Sequence, residues 1–204
     1  MVLAGCAGGS PPPIDKTALA NGENTSYPGV PEPVELGPRF AVTDRVAIRT
    51  SMGTMVVGLY GKDAPRTVAN FLTYVEQGFY SGTIFHRVIP GFMVQGGGFD
   101  PELNRRQTGE PVELEIIPGL KHESGTVSMA RTSNPHSATS QFFVCVARST
   151  QLNGSYAAFG EVEEGMDVAV SISTVPTQTA EGPSQPMDDV PVNPVIIESI
   201  TRIE

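Results

Sequence analysis

With 204 residues, eighteen prolines, twenty-two glycines and a formal net charge of −9, the chain is long enough for one domain with a real core and not comfortably for two. The acidic balance speaks against a nucleic-acid partner, which needs clustered Lys and Arg, and no apolar run is long enough to span a bilayer. Two cysteines, Cys6 and Cys145, are too few for a disulfide framework, and the abundance of turn residues points to an all-β or loop-rich body.

Residues 1–43 are rich in Pro, Gly, Ser, Asn and Glu without a periodic apolar pattern. They read as a flexible linker, with the folded domain over 44–204. Val46 and Ile48, then Met55, Val57 and Leu59, alternate with other residues around a turn at Ser51-Met52-Gly53, which predicts a hairpin. Pro65 stands where a first-turn proline is tolerated, and Val68, Phe71, Leu72 and Val75 follow at i, i+3, i+4 and i+7. That spacing predicts a helix, with Gly78 as its C-terminal cap. Next, Phe85, Arg87 and Ile89 alternate against Ile84, His86 and Val88, which predicts a strand with Arg87 and His86 on opposite faces. Pro90-Gly91 turns the chain, and Met93 and Gln95 share a face of the following strand. Residues 100–123 break into turns around a short apolar piece at 114–117. Residues 125–130 and 141–147 read as two strands joined by a polar loop, and 159–162 as a short strand. In 166–173, Val168, Val170 and Ile172 alternate like a strand. Residues 176–194 form a long proline-rich loop, and 195–203 a closing strand.

An arginine held over Phe and Met with an amide nearby is a site that grips an apolar group carrying a carbonyl. His86, His122 and His136 lack metal-ligand spacing, and His86 reads as a satisfied structural histidine. Gly96-Gly97-Gly98 opens onto Asp100-Pro101 and not onto a helix, so it is not a phosphate cradle. Cys145, inside an apolar run, reads as a buried thiol.

The stretch from Phe85 to Phe99, FHRVIPGFMVQGGGF, resembles the signature of the cyclophilins, the peptidyl-prolyl cis-trans isomerases. Ser128-Met129-Ala130-Arg131 with Ser137 to Val144, and Gln151-Leu152-Asn153-Gly154 with Tyr156 to Val162, are similar to two further blocks of that family in its bacterial form. The resemblance implies a mainly β fold, a closed eight-stranded antiparallel barrel capped by two α-helices, the second at 166–173 against the local alternation. It implies a prolyl isomerase that assists protein folding and needs no cofactor, acting as a monomer on proline-containing peptides and on unfolded or flexible proteins. The alternative is a proline-peptide binding module without turnover. Arg87 is then the catalytic residue. Phe92, Met93, Phe143 and Leu152 line the proline pocket, and Gln95 and Gln141 bond the substrate backbone or brace Arg87. Ala130 and Arg131 present backbone groups to the peptide. Arg131 stands where family members often carry asparagine, and Tyr156, where many have histidine, borders the pocket. Family members that bind cyclosporin well typically have a tryptophan just before the pocket leucine; Gln151 stands there, so weak binding of the drug is expected. At the start of the chain, Leu3-Ala4-Gly5-Cys6 resembles the bacterial lipobox, with residues 7–13 as a tether. That makes Cys6 a lipidation candidate and implies export to the periplasm or cell envelope with membrane attachment through the lipid.

Overall fold

The computed structural model describes residues 40–204; Cys6 and residues 1–39 lie outside the described residues. Ten strands and two helices follow in chain order. They are β1 (Asp44–Thr50), β2 (Gly53–Leu59), α1 (Pro65–Glu76), β3 (Thr83–Ile89), β4 (Met93–Gly96), β5 (Thr126–Met129) and β6 (Phe142–Cys145). After a 3₁₀ turn at Thr150–Leu152 come β7 (Ala158–Glu164), α2 (Met166–Ser173), β8 (Thr177–Ala180), β9 (Met187–Pro191) and β10 (Val195–Ile203). Eight of the strands close into an antiparallel barrel in the order β1-β10-β3-β4-β6-β5-β7-β2. Closure leaves the barrel without an open sheet edge. Phe40 and Val42 already pack on the core ahead of β1, with the Phe40 ring 5.6 Å from that of Tyr60.

Helix α1 forms where its spacing places it, burying Thr67, Val68, Phe71, Tyr74 and Val75 against the barrel. Residue 64 is an alanine and offers no capping oxygen. The cap arrives from the 100–123 segment instead: Glu115 accepts from the backbone N–H of Arg66 and of Thr67, and from the Thr67 hydroxyl at 2.7 Å. Anionic oxygen at a helix N-terminus satisfies orphan donors and suits the dipole. Gly78 takes the left-handed conformation (φ 63°) expected just past the helix end.

The residues at 166–173 are helical, as the family resemblance implied and local alternation did not. Their buried positions are Ala169, Ile172 and Ser173, spaced i, i+3, i+4, while Val170 is 44% exposed. Gly165 starts the helix at φ 78°, where a Cβ would lie 2.3 Å from the Thr54 carbonyl oxygen. That turn, not side-chain branching, sets the direction of the chain.

The segment 176–194 corrects the expected loop, since β8 and β9 pair within it as a two-stranded antiparallel sheet. Pro176 precedes β8, Pro183 and Pro186 lie in the connection, and Pro194 follows β9. Its prolines therefore punctuate the hairpin, apart from Pro191 at the last position of β9, where one is tolerated.

Two-residue periodicity builds the functional face. In β4, Val94 points into the barrel core while Met93 and Gln95 face outward; in β6, Phe142 and Val144 point inward while Phe143 and Cys145 face outward. A second apolar cluster, Met93, Phe143, Cys145 and Leu152 with Ile89, Phe92, Ala130 and Tyr156 around it, results on the outer surface.

Candidate active site

Arg87 reaches that surface by a device the alternation did not reveal. On β3, Phe85 pairs with Gly96 and Arg87 with Gln95, so His86 is an extra residue opposite one step of β4. This β-bulge breaks the face pattern. Phe85 and Val88 both enter the barrel core, His86 is buried, and Arg87 and Ile89 turn toward the outer cluster. The expected grouping of Phe85 with Arg87 and Ile89 is thus corrected.

Arg87, Phe92, Met93, Gln95, Ala130, Arg131, Phe143, Leu152 and Tyr156 line a single pocket of about 130 Å³. Met93, Phe143 and Leu152, each under a tenth exposed, form its apolar floor. Gln141 is the one expected binding residue outside this lining. It borders the adjacent cavity of about 160 Å³ with Phe99 and Arg105, and its Oε1 accepts from Gln95 Nε2 at 3.0 Å. Since Gln95 is engaged with Gln141, neither amide braces Arg87. The guanidinium is partnered instead by Asp189 on β9, with Nε 3.5 Å from Oδ2.

The loops around the floor are tied down by backbone groups. The Ala130 N–H donates to the Gln141 carbonyl at 2.9 Å and is therefore already engaged. Arg131 spreads its side chain over the Tyr156 ring at 4.6 Å, donating from Nε to the Ser155 carbonyl and from Nη1 to that of Thr132. It acts through its side chain as a clamp on the 155–156 segment, which the sequence reading missed. Tyr156 in turn meets Phe143 edge-on at 5.6 Å. Behind Phe143, His122 stacks nearly parallel to it at 6.2 Å. Ser128 Oγ lies 2.9 Å from His122 Nε2, and Asn153 Oδ1 lies 3.0 Å from Nδ1. Nothing in the local sequence around His122 signals this support.

Burial favours the neutral forms of His86, His122 and Cys145 around the site. Burial pushes His86 down to about 4, aided by the charge of Arg87, and burial also lowers His122. Burial pushes the Cys145 thiol up to about 12. His86 packs edge-on to Phe99 at 4.6 Å, with Nε2 at 3.4 Å from Gln95 Nε2 and Nδ1 unpaired among the described residues. Because its folded pKa lies below the 6.5 of a free histidine, the unfolded chain binds the extra proton between those values. Stability is therefore full above about pH 6.5 and falls by on the order of 3 kcal/mol as pH drops toward 4. Thermal melts across that range should show the loss, and H86Q should flatten it; an equally steep slope in the variant assigns it elsewhere.

Residues 45–202 match the family described as cyclophilin type peptidyl-prolyl cis-trans isomerase/CLD. A peptidyl-prolyl cis-trans isomerase of Streptomyces antibioticus is 48% identical over 162 residues, which span 76% of this chain and 95% of the relative. Peptidyl-prolyl cis-trans isomerase B of Escherichia coli is 48% identical over 167 residues, 78% of this chain and 99% of the relative. A crystal structure of a cyclophilin-type isomerase of Cryptosporidium parvum, determined in the presence of the dipeptide Ala-Pro, matches with a TM-score of 0.67 at 30% identity, covering 78% of this chain and 99% of that one. A bulge-presented arginine beside an apolar pocket on a closed eight-stranded barrel, carried by a chain with these relatives, places the protein in the cyclophilin family as a peptidyl-prolyl cis-trans isomerase.

Proposed function

We propose that Arg87 carries the isomerisation and that Met93, Phe143 and Leu152 seat the proline ring. Rotation about an Xaa-Pro bond is opposed by amide resonance, with a barrier of roughly 18–20 kcal/mol. Halfway through rotation the prolyl nitrogen has lost that resonance and become a pyramidal acceptor. No covalent bond is made or broken, so the protein need only bind the twisted amide better than either planar form. A guanidinium offers five donors in a fixed plane, enough to bond the nitrogen and hold a neighbouring carbonyl. The observation that carries this reading is Arg87 at the rim of a pocket whose floor is apolar and buried. That floor buries a five-membered ring without asking for polar partners. In this reading the Gln95 Oε1, left open by the bond from its Nε2 to Gln141, and the Ala130 carbonyl meet the peptide backbone. The presence of Ala-Pro with the related Cryptosporidium protein supports a proline-containing ligand.

The mechanism invokes no group that changes protonation near neutrality. His86 and His122 lie below their ordinary range, Cys145 lies far above its own, and an arginine stays charged. Turnover of a short Xaa-Pro peptide should therefore be flat between about pH 6 and 9 and insensitive to chelators. A protease-coupled or exchange-NMR assay tests both points. A bell-shaped profile centred there, or binding without turnover, would overturn the reading.

We propose a setting for the protein as well. Cys6 is a lipid attachment point, and the enzyme works as an exported monomer at the cell envelope on unfolded or flexible proteins. Leu3-Ala4-Gly5-Cys6 and the proline-rich stretch after it support the lipid attachment and export. Expression of the intact gene in a bacterial host should give a membrane-associated product whose acyl mass is lost in C6S. An unmodified Cys6 in native material removes the anchor. Cyclosporin binding is weak, because Gln151 supplies no aromatic surface at the rim.

A further inference from the structure

We propose that Asp189 is a positioning residue for the catalytic arginine, an inference that rests on the role of Arg87 above. Among the described residues Arg87 has no side-chain hydrogen bond, and its ionic partner is Asp189, Nε to Oδ2 at 3.5 Å. Gln95 stands opposite Arg87 in the ladder, but its amide is engaged with Gln141. Nothing on the barrel's own strands thus orients the guanidinium.

The carboxylate comes from outside the barrel. In the β8–β9 sheet, Gln178 pairs with Val190 and Ala180 with Met187, so Asp188 and Asp189 together oppose Thr179. This second bulge separates the two acids. The Thr179 hydroxyl donates to Asp188 Oδ1 at 2.7 Å, and Asp189 takes a left-handed backbone at φ 61°, which aspartate tolerates better than most residues. The residue is also anchored: Val190 and Pro191, next in the strand, are buried, and β9 packs along β3. Asp189 is therefore carried by docked structure, not by a free loop. Pairing at Nε occupies one edge of the guanidinium and leaves Nη donors for the twisted amide. Both side chains are partly exposed, 44% for Arg87 and 38% for Asp189, so the pair contributes little to folding and acts on how often Arg87 holds the productive orientation.

The test is D189N, which keeps the shape and the tolerance for a left-handed backbone while removing the charge. Exchange NMR on an uncharged Xaa-Pro peptide should show kcat lowered about two- to fivefold with KM nearly unchanged, the scale of one partly exposed ion pair. Salt should reproduce the loss in the wild type: raising ionic strength to about 0.5 M should lower its kcat toward that of D189N, while D189N stays flat. In the R87A background, D189N should cost nothing further. A wild-type kcat in D189N overturns the proposal, as does an equal loss in the R87A background, which would assign the effect to the hairpin's fold. If D189N does not fold, the wild-type salt titration decides, and a flat kcat overturns the proposal. R87A at wild-type rate would remove the arginine mechanism itself, whereas slow R87A with normal D189N removes only the positioning role.

Discussion

Arg87→Ala is expected to lower kcat/KM on an Xaa-Pro peptide by roughly 10²–10³-fold, the usual cost of deleting one preorganised donor aimed at a transition state. The melting temperature should barely move. Arg87 stands on the outer face of the barrel at 44% exposure, and its one ionic contact among the described residues is to the part-exposed Asp189. Exposed pairs of this kind contribute about 0–1 kcal/mol. Arg87→Lys should recover little of the rate. Lysine keeps the charge but presents a compact ammonium, which cannot bond the prolyl nitrogen and a carbonyl from one plane. Steady-state kinetics with a thermal melt on each variant checks both statements. A lysine variant with near-normal turnover would show that charge alone suffices and would remove the fork from the mechanism.

Gln151→Trp is expected to strengthen cyclosporin inhibition by roughly 30- to 150-fold while leaving peptide turnover nearly unchanged. The 3₁₀ turn Thr150–Leu152 sends Leu152 into the pocket floor and leaves Gln151 exposed beside it. An indole there adds roughly 100 Å² of apolar contact for a large ligand, worth about 2–3 kcal/mol, and an N–H donor as well. On the proposed reading a short proline peptide seats on the apolar cluster of Met93, Phe143 and Leu152 and does not need that rim. An inhibition titration of both proteins decides the matter. Nanomolar inhibition of the wild type, or no gain in the variant, would mean that Gln151 does not border the bound drug.

The two helices show why some elements are legible in a sequence and others are not. Helix α1 carries its own punctuation: Pro65 at the start, apolar residues at helical spacing, and Gly78 past the end. Helix α2 carries a misleading pattern, because Val168, Val170 and Ile172 alternate like a strand and only the family resemblance argued otherwise. Its buried face, Ala169, Ile172 and Ser173, has helical spacing, and Gly165 ahead of it turns against the backbone of Thr54, a residue distant in the chain. The β8–β9 hairpin was hidden differently, since most prolines that suggested a loop mark the ends and connection of two strands.

Arg87, Phe92, Met93 and Gln95 were legible as a group from residue identity and spacing, whereas Phe143 and Leu152 entered only through the family resemblance; all six line the one pocket. A permanent charge, an apolar floor and an amide are properties of side chains, and a two-residue period places Met93 with Gln95 on one face whatever the strand pairs with. The direction in which Arg87 points is another matter. A bulge is a mismatch between two strands, so His86 becomes the extra residue only when β3 is laid against β4. Likewise Asp189 meets Arg87 because the β8–β9 hairpin docks on β3, and Arg131 clamps Tyr156 and His122 backs Phe143 because tertiary packing brings together segments far apart in the chain. Such contacts depend on register and closure, which belong to pairs of segments and are written in neither one alone.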